Sequence, residues 1–202
     1  MTGQRRPPFR LGLTGSIGMG KSTTAGFFRA CGIAVWDADE AVHRLYDRGG
    51  AAVAPLSDLV PGVVRDGVVS RAVLKERLAA DPALLARLEA VVHPLVAADR
   101  AAFLRDTVSD IAVFDIPLLF EKGTEAEMDA TLLVTAPAEL QRRRVLARPG
   151  MTEAQFRLIL SRQMPDAEKR ARATHIIETL GLAAVEAAVI ALIAYTRESR
   201  DA

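Results

Sequence analysis

A glycine-rich segment near the start of the chain has the residue types that bind a phosphate group. Residues 15–22 read Gly-Ser-Ile-Gly-Met-Gly-Lys-Ser and fit the pattern G-x-x-x-x-G-K-[ST] in full. Glycines let successive backbone N–H groups point at one anion, and the positive end of the following helix faces the same place. We expect Lys21 to reach the β- and γ-phosphates of a nucleotide and the Ser22 hydroxyl to bind Mg²⁺. The predicted nucleotide-binding residues are Gly15, Ser16, Ile17, Gly18, Met19, Gly20, Lys21, Ser22 and Thr23.

An accidental glycine-rich turn is the alternative interpretation of this segment, and the flanking sequence argues against it. An apolar run at residues 9–14 precedes the motif, and residues 22–30 have the spacing of a helix. A strand, a loop and a helix in this order are the context that a phosphate-binding loop requires. The sequence therefore predicts a P-loop.

Aspartates that follow two of the apolar runs could act on an acceptor hydroxyl or on a metal ion. Asp37 and Asp39 follow the run 33–36, and ligands of open α/β sheets bind beyond the carboxyl ends of the strands. A carboxylate there can accept the proton of an attacking hydroxyl. The alternative is that one of the pair caps the helix expected at 40–46. Asp115 ends a third run and could either help to place Mg²⁺ or be structural.

Residues 141–172 form an arginine-rich region with nine basic side chains. Phosphoryl transfer needs cations around the equatorial phosphate oxygens and the exclusion of water. Arg144 and Arg148 are spaced one helical turn apart before a Pro-Gly break, and they could close over ATP as part of a mobile lid. Arg162 would follow on the next helix. The alternative is a solvated basic face, which we expect for most of these arginines.

Short apolar runs alternate with helical stretches, which is typical of βαβ units around a parallel sheet. Residues from about 55 to 105 break this alternation, and we interpret them as a helical insertion. Within it we expect Pro94 in the first turn of a helix and His93 just outside. The predicted fold is a single α/β domain, residues 1–202, in which a P-loop and a parallel sheet flanked by helices are joined by a helical insertion and a lid. The five runs are Phe9–Thr14, Ile33–Trp36, Ile111–Phe114, Thr131–Thr135 and His175–Ile177.

Composition and charge narrow the class of protein. The 202 residues include 26 basic and 25 acidic side chains, and a net charge of +1 argues against a dedicated nucleic-acid binder. The longest apolar stretch, 183–195, contains Glu186 and is too short to span a membrane. The single cysteine, Cys31, allows no internal disulfide or zinc cluster, and we expect it to be small and buried. These features favour a cytoplasmic protein and leave its oligomeric state open.

Several motifs together resemble the dephospho-coenzyme A kinase family. The Pro-Leu-Leu-Phe-Glu stretch and the His-Pro pair are the most specific of them, because generic nucleotide binding requires neither. The chain departs from the family pattern at Ser16, where the family usually has glycine, and at His43 and Thr179, where it often has arginine and asparagine. The resemblance runs from about Leu11 to Leu192, through the P-loop, Asp37–Asp39, residues 67–71, Leu88–Glu89, His93–Pro94, Ile116–Glu121, Arg144, Arg148 and Gln163–Met164.

The resemblance implies transfer of the γ-phosphate of ATP to the 3′-hydroxyl of dephospho-CoA, the last step of coenzyme A biosynthesis. It implies that Asp39 is the catalytic base, with Lys21 and either Arg144 or Arg148 acting on the transferred phosphate. It also implies that the helical insertion binds the CoA moiety and that residues 141–172 form the lid. The residues placed at the dephospho-CoA site are Asp39, Arg71, His93, Pro117 and Leu118.

Two other functions share the same P-loop. A kinase for a nucleoside, a nucleotide or a shikimate-type acceptor would have a similar loop and lid. A regulatory protein would bind ATP without transferring phosphate, although the presence of Lys21, Ser22 and Asp39 weighs against this. A GTPase is disfavoured, because recognition of guanine through Asn-Lys-x-Asp needs asparagine and the sequence has none.

Overall fold

The computed structural model describes residues 6–201, so residues 1–5 and 202 of the predicted domain lie outside the described residues. The described chain forms two compact units. One contains residues 6–36 and 107–201, and the other contains residues 37–106. None of the helices described between residues 6 and 201 has the length and hydropathy needed to cross a membrane.

Seven strands and nine α-helices are described in residues 6–201, together with a 3₁₀ turn at Thr124–Glu127. In chain order they are β1 (Phe9–Thr14), α1 (Lys21–Ala30), β2 (Ala34–Asp37), α2 (Ala38–Tyr46), α3 (Val53–Leu59), β3 (Val64–Arg65), β4 (Val68–Val69), α4 (Arg71–Ala80), α5 (Leu84–Asp106), β5 (Ile111–Asp115), β6 (Ala130–Thr135), α6 (Ala138–Leu146), α7 (Glu153–Leu160), α8 (Asp166–Arg172), β7 (His175–Glu178) and α9 (Leu182–Asp201).

A five-stranded sheet runs through the first unit in the order β2-β5-β1-β6-β7. Strand β1 pairs in parallel with β5 and with β6, and β6 pairs in parallel with β7. Parallel neighbours need a crossover connection, and helices supply most of the chain between these strands. The five strands coincide with the five apolar runs of the sequence, so the predicted α/β fold with a parallel sheet is confirmed.

The inner strands of this sheet are covered on both faces. Strands β5 and β6 are buried along their whole length, which is typical of a parallel sheet between two layers of helices. One apolar cluster joins Leu11 and Leu13 of β1 to Phe28 of α1 and Val189 of α9. The loops at the ends of the strands are thus attached to a sheet with a well-packed apolar core.

The carboxyl ends of β1 and β5 lie side by side. Leu13 is paired with Asp115 in the parallel register, and the N–H of Ile116 donates to the Leu13 carbonyl at 3.0 Å. The loop after β1 and the segment after β5 therefore leave the sheet at the same edge. This edge is where open α/β sheets bind their ligands.

The second unit has an apolar core of its own. Helix α5 packs against α2, α3 and α4, and the cluster between them includes Leu45, Leu56 and Leu74. The β3–β4 hairpin turns through Asp66 and Gly67, whose φ angles are 52° and 79°. Two central residues with positive φ, in an Asp-Gly sequence, are what a tight hairpin turn requires.

Two local predictions are wrong. Pro94 lies inside α5 and not in the first turn of a helix. The helix continues because Val92 and Leu95, on either side of the proline, pack into the same apolar core. Cys31 is exposed, because it follows the last residue of α1 at a surface turn in which Gly32 has a φ of 74°.

Candidate active site

Residues 15–20 form a tight loop between β1 and α1. Gly18 has a φ of 77°, which favours glycine. A Cβ atom on Gly18 would also overlap the Val145 side chain and lie 3.1 Å from the Gln141 carbonyl oxygen. Because α1 begins at Lys21, its unpaired N–H groups are at this loop, and such groups bind anions. The structure thus places the predicted nucleotide-binding residues 15–23 in one loop and the first turn of a helix.

The lysine of the loop is paired with a buried carboxylate. Lys21 Nζ forms an ion pair with Asp115 Oδ1. The side chain of Asp115 is only 1% exposed and lies at the end of β5. The buried carboxylate and the lysine compensate each other, which lowers the cost of keeping a charge out of water. The contact with Lys21 puts the Asp115 carboxylate beside the P-loop, and a role of Asp115 in placing Mg²⁺ stays a prediction.

Oxygen donors suited to magnesium lie in this region. Ser22 follows Lys21 in the first turn of α1, and Asp115 offers a carboxylate at the end of the neighbouring strand β5. Mg²⁺ prefers hard oxygen ligands and commonly takes one or two from the protein and the rest from phosphates and water. The residue types therefore fit the predicted metal, with Ser22 as the expected ligand and Asp115 as a second candidate.

Both backbone polar groups of Ile17, within the loop, are bound by glutamine side chains. The N–H of Ile17 donates to Gln163 Oε1 at 3.2 Å, and Gln141 Nε2 donates to the Ile17 carbonyl at 2.7 Å. Gln141 is buried on α6, and Gln163 is half-buried after α7. No role is predicted for either side chain from the sequence, because these contacts join residues more than 120 positions apart.

Two further contacts hold the loop at Met19. The N–H of Ala136, just after β6, donates to Met19 Sδ at 3.0 Å. The Thr179 hydroxyl, after β7, donates to the Met19 carbonyl at 2.9 Å. Thr179 was noted in the sequence only as a departure from the family pattern, and the structure places it against the P-loop.

A cavity of about 380 Å³ adjoins the P-loop. Its wall includes Gly20, Thr23, Arg144, Arg148 and the turn 179–182. Arg144 donates to Thr179 Oγ1 at 2.9 Å and to the Thr179 carbonyl at 2.5 Å. The cavity has the loop on one side and arginines on another, so it can accept a group attached to a bound phosphate.

Most basic side chains of residues 141–172 are paired with carboxylates. Arg142 and Arg157 both bind Glu153, and Arg170 binds Asp166 and Glu178. Arg172 forms an ion pair with Glu125. Within residues 6–201, no carboxylate forms an ion pair with the four remaining arginines. The interpretation as a basic face without a role in phosphate binding therefore suits the paired arginines. The four are Arg143, Arg144, Arg148 and Arg162.

Two of the arginines lie outside the helices expected to carry them. Helix α6 ends at Leu146, so Arg148 is in the turn after it. The reason is Pro149, since the residue before a proline is disfavoured in helical conformation. Helix α7 ends at Leu160, which leaves Arg162 beyond its end. Arg144 and Arg148 nevertheless line the same cavity.

The two aspartates of the Asp-x-Asp pair have different surroundings. Asp37 is the N-cap of α2, and its Oδ1 accepts the N–H groups of Asp39 at 2.8 Å and Glu40 at 3.0 Å. The capping alternative is thus correct for Asp37. Asp39 lies in the first turn of α2 with an exposed side chain, and it accepts neither of these capping bonds.

Arg71 and His93, like Asp39, belong to the unit formed by residues 37–106. Arg71 is the first residue of α4 and is exposed. Burial raises the pKa of Tyr46, and the positive charge of Arg71 opposes this effect without cancelling it. His93 lies on α5 with its side chain 63% exposed, and its Nε2 is 3.8 Å from Glu89 Oε1. Both side chains are therefore accessible to a ligand from the solvent.

The segment after β5 is attached to other parts of the fold at both ends. The Thr14 hydroxyl donates to the Pro117 carbonyl at 3.3 Å, and Leu118 is half-buried beside it. Leu119 and Phe120 are buried. At the end of the segment, Glu121 Oε1 accepts the Met164 N–H at 2.9 Å. Pro117 and Leu118 are the two predicted site residues of this segment, and Pro117 contacts β1 through its backbone carbonyl.

Comparison with known proteins identifies the family. The model of the family described as dephospho-CoA kinase matches residues 9–183. A dephospho-CoA kinase of Cereibacter sphaeroides is 67% identical over 195 residues, which cover 96% of this chain and 99% of the relative. The chain belongs to the dephospho-CoA kinase family.

Solved structures share the fold of this chain. A crystal structure of a Thermus thermophilus protein, 39% identical, matches 94% of this chain and 98% of its own with a TM-score of 0.83. A dephospho-CoA kinase from Campylobacter jejuni has the same fold at 22% identity, with a TM-score of 0.70 over 95% of this chain and 98% of its own. The family and the kinase function predicted from the motifs are confirmed.

Proposed function

We propose that this chain transfers the γ-phosphoryl group of ATP to the 3′-hydroxyl of dephospho-CoA and so produces CoA. The observation that carries the proposal is the family match over residues 9–183, with a complete P-loop inside the matched region. In the reaction a bond forms between the 3′-oxygen and the γ-phosphorus. The bond from that phosphorus to the β–γ bridging oxygen breaks, and ADP leaves.

Asp39 is the proposed base that takes the proton of the 3′-hydroxyl. Its partner in the motif, Asp37, uses Oδ1 to cap α2, so Asp39 is the carboxylate of the pair that is left for chemistry. The Asp39 side chain is also exposed. A carboxylate that accepts or orients the acceptor proton is the usual device of phosphoryl transfer to a hydroxyl.

Residues 15–23 would bind the phosphates of ATP, and Lys21 would neutralise the charge that develops on the β- and γ-phosphates. Ser22, with Asp115 as a second donor, would hold Mg²⁺, which screens the phosphate oxygens when bound. Arg144 and Arg148 line the cavity beside the loop. Arg148 has no ion pair within residues 6–201, so it is the better candidate to contact phosphate, whereas Arg144 is hydrogen-bonded to Thr179.

The residues proposed to bind the acceptor are those that the family resemblance indicates. Arg71 and His93 are exposed cations or potential cations on helices of the unit 37–106, and such groups suit the phosphate groups of dephospho-CoA. Pro117 and Leu118 would contact the acceptor from the segment after β5. The insertion of residues 55–105 is the proposed CoA-binding part, and residues 141–172 the proposed lid. A cytoplasmic location without a nucleic-acid partner belongs to the same proposal.

The deciding experiment is a coupled assay of ADP release with purified protein and Mg-ATP. Dephospho-CoA is the test acceptor, and adenosine, AMP and shikimate are the controls. We expect rapid ADP formation with dephospho-CoA alone and the appearance of CoA by mass spectrometry. Turnover with a control acceptor alone would keep the P-loop kinase chemistry and overturn the acceptor. ATP binding without transfer to any acceptor would favour a regulatory protein.

A further inference from the structure

The P-loop carries one residue whose backbone is bound by side chains from elsewhere in the fold. Gln163 accepts the Ile17 N–H at 3.2 Å, and Gln141 donates to the Ile17 carbonyl at 2.7 Å. Together these bonds restrict both φ and ψ of Ile17. The Ile17 N–H therefore donates to Gln163, and the Ile17 carbonyl accepts from Gln141, which holds it in place. Within a loop that must present N–H groups to an anion, a carbonyl turned inwards would repel the phosphate.

The two glutamines come from the arginine-rich region 141–172. Gln141 is on α6, and the same helix contributes Val145, which lies against Gly18. Gln163 follows α7 and precedes α8. The loop is therefore held at two separate points by the region that supplies Arg144 and Arg148 to the cavity.

A buried ion pair fixes the chain next to Gln163. The Met164 N–H donates to Glu121 Oε1 at 2.9 Å, and Lys169 Nζ lies 2.9 Å from the same oxygen. The Lys169 side chain is 0% exposed. Burial by itself would raise the pKa of Glu121, but Lys169 and the Met164 N–H outweigh it and lower this pKa. The carboxylate is therefore charged at neutral pH, and it anchors Met164.

We propose that Gln163 and Gln141 are positioning residues that hold Ile17, and with it the P-loop, in the anion-binding conformation, and that the Glu121–Lys169 pair holds Gln163 in place. Neither glutamine touches the reacting atoms in this scheme. Their contribution is to reduce the conformational freedom that the loop loses when a nucleotide binds, which strengthens binding. The inference rests on nucleotide binding by the P-loop, which is part of the proposed function.

Three variants at position 163 and a control test this scheme. Gln163→Met keeps the length of the side chain and removes the acceptor, whereas Gln163→Glu keeps an acceptor oxygen. Gln155→Met makes the same change at an exposed glutamine of α7, whose bonds are to Thr152 only. Gln163→Ala tests loss of the whole side chain. The readouts are hydrogen exchange of the Ile17 amide without nucleotide, the Kd for Mg-ADP, and the melting temperature.

We expect Gln163→Met and Gln163→Ala to speed exchange at Ile17 and to weaken Mg-ADP binding about 3- to 10-fold, the size expected for one lost hydrogen bond. Gln163→Glu should keep slow exchange at Ile17, even if its added charge weakens nucleotide binding. Gln155→Met should lower the melting temperature slightly and leave Ile17 exchange unchanged. Unaltered Ile17 exchange and an Mg-ADP Kd within twofold of wild type in Gln163→Met would overturn the proposal.

The ion pair is tested by Lys169→Met and by the double variant Glu121→Gln, Lys169→Met. The single change leaves the Glu121 charge without its partner and should speed Ile17 exchange. The double variant keeps an acceptor for the Met164 N–H without a buried charge, so it should recover slow exchange. A lower melting temperature with unchanged Ile17 exchange in both variants would show that the pair only stabilises the fold. If Lys169→Met does not fold, the double variant and Gln163→Met decide between positioning of Ile17 and stabilisation of the fold alone.

These readouts separate this inference from the proposed function. A wild-type protein that binds Mg-ADP but does not phosphorylate dephospho-CoA would overturn the proposed acceptor and leave the loop test valid. Normal turnover of dephospho-CoA with no effect of Gln163→Met would overturn the inference alone.

Discussion

Lys21 of the P-loop forms an ion pair with Asp115, the last residue of the neighbouring strand β5. Lys21 is the residue expected to bind phosphate, and Asp115 is a candidate ligand of Mg²⁺. The pair therefore joins the two groups that Mg-ATP would engage. When nucleotide and metal bind together, Lys21 can pair with phosphate and Asp115 with Mg²⁺. The buried carboxylate of Asp115 is then not left without a positive partner.

Lys21→Ala should lower kcat by about 10²-fold or more, because the phosphate charge of the transition state loses a fixed cation. The measurement is the steady-state rate of ADP release with saturating dephospho-CoA. Lys122→Ala, at an exposed lysine outside the insertion 55–105, is the matched control and should retain the wild-type rate. A Lys21→Ala enzyme with more than a tenth of the wild-type kcat would contradict the assignment.

Asp115→Asn should raise the Mg²⁺ concentration needed for half-maximal rate, because a neutral amide is a weaker ligand for this cation than a carboxylate. It should also lower the melting temperature, since Lys21 loses its ion pair. The rate is measured as a function of Mg²⁺ at fixed ATP. An unchanged Mg²⁺ dependence together with a lower melting temperature would assign Asp115 a structural role only.

Asp39→Asn should retain ATP binding and lose most of the turnover rate, by about 10²-fold or more, because the proposed base is removed. Asp37→Asn is the matched control, since asparagine also caps helices well, and it should keep the stability and most of the rate. Asp37→Ala should lower stability by about 1 kcal/mol through loss of the cap. Calorimetric titration with ATP and rate assays separate these effects, and an active Asp39→Asn enzyme would exclude the base role.

The two cavity arginines should respond differently to substitution. Arg148→Met should lower kcat by about 10²-fold with little change in melting temperature, because it forms no ion pair with the carboxylates of residues 6–201. Arg144→Met should lower both ATP affinity and melting temperature, since it removes two hydrogen bonds to Thr179. Arg143→Met, at an exposed neighbour on α6, is the control. Equal kinetic effects of Arg143→Met and Arg148→Met would argue against a phosphate contact by Arg148.

The stability of the sheet should depend on pH through Asp129. Burial by itself would raise the pKa of Asp129, but hydrogen bonds from the side chain and backbone of Arg10 outweigh it and lower the pKa. A carboxyl whose folded pKa is lowered stabilises the protein above its unfolded pKa of about 3.9, and this contribution is lost as pH falls further.

Melting temperatures measured from pH 7 to pH 3 test this effect. Asp129→Asn should melt below the wild type at pH 7, and the two curves should converge as pH falls below about 4. Asp58→Asn, at an exposed carboxyl of α3, should follow the wild type throughout. Parallel curves for Asp129→Asn and wild type would show that the Arg10 contact does not carry this dependence.

The sequence predicted the elements whose signals are local. The strands are short contiguous apolar runs, and the P-loop is a contiguous motif, so neither needs knowledge of the tertiary structure. The continuation of α5 through Pro94 was not predicted correctly, because the packing of Val92 and Leu95 into an apolar core decides it. Gln141 and Gln163 could not be assigned a role, since their contact with Ile17 exists only after the chain has folded.

A Cβ atom at position 18 would overlap the Val145 side chain of α6. A smaller residue at 145 would relieve that overlap, but the positive φ of Gly18 would still exclude most side chains there. We therefore expect a double variant with alanine at both positions to remain strained in the P-loop. The two positions constrain each other unequally: the backbone of residue 18 demands glycine whatever side chain α6 presents.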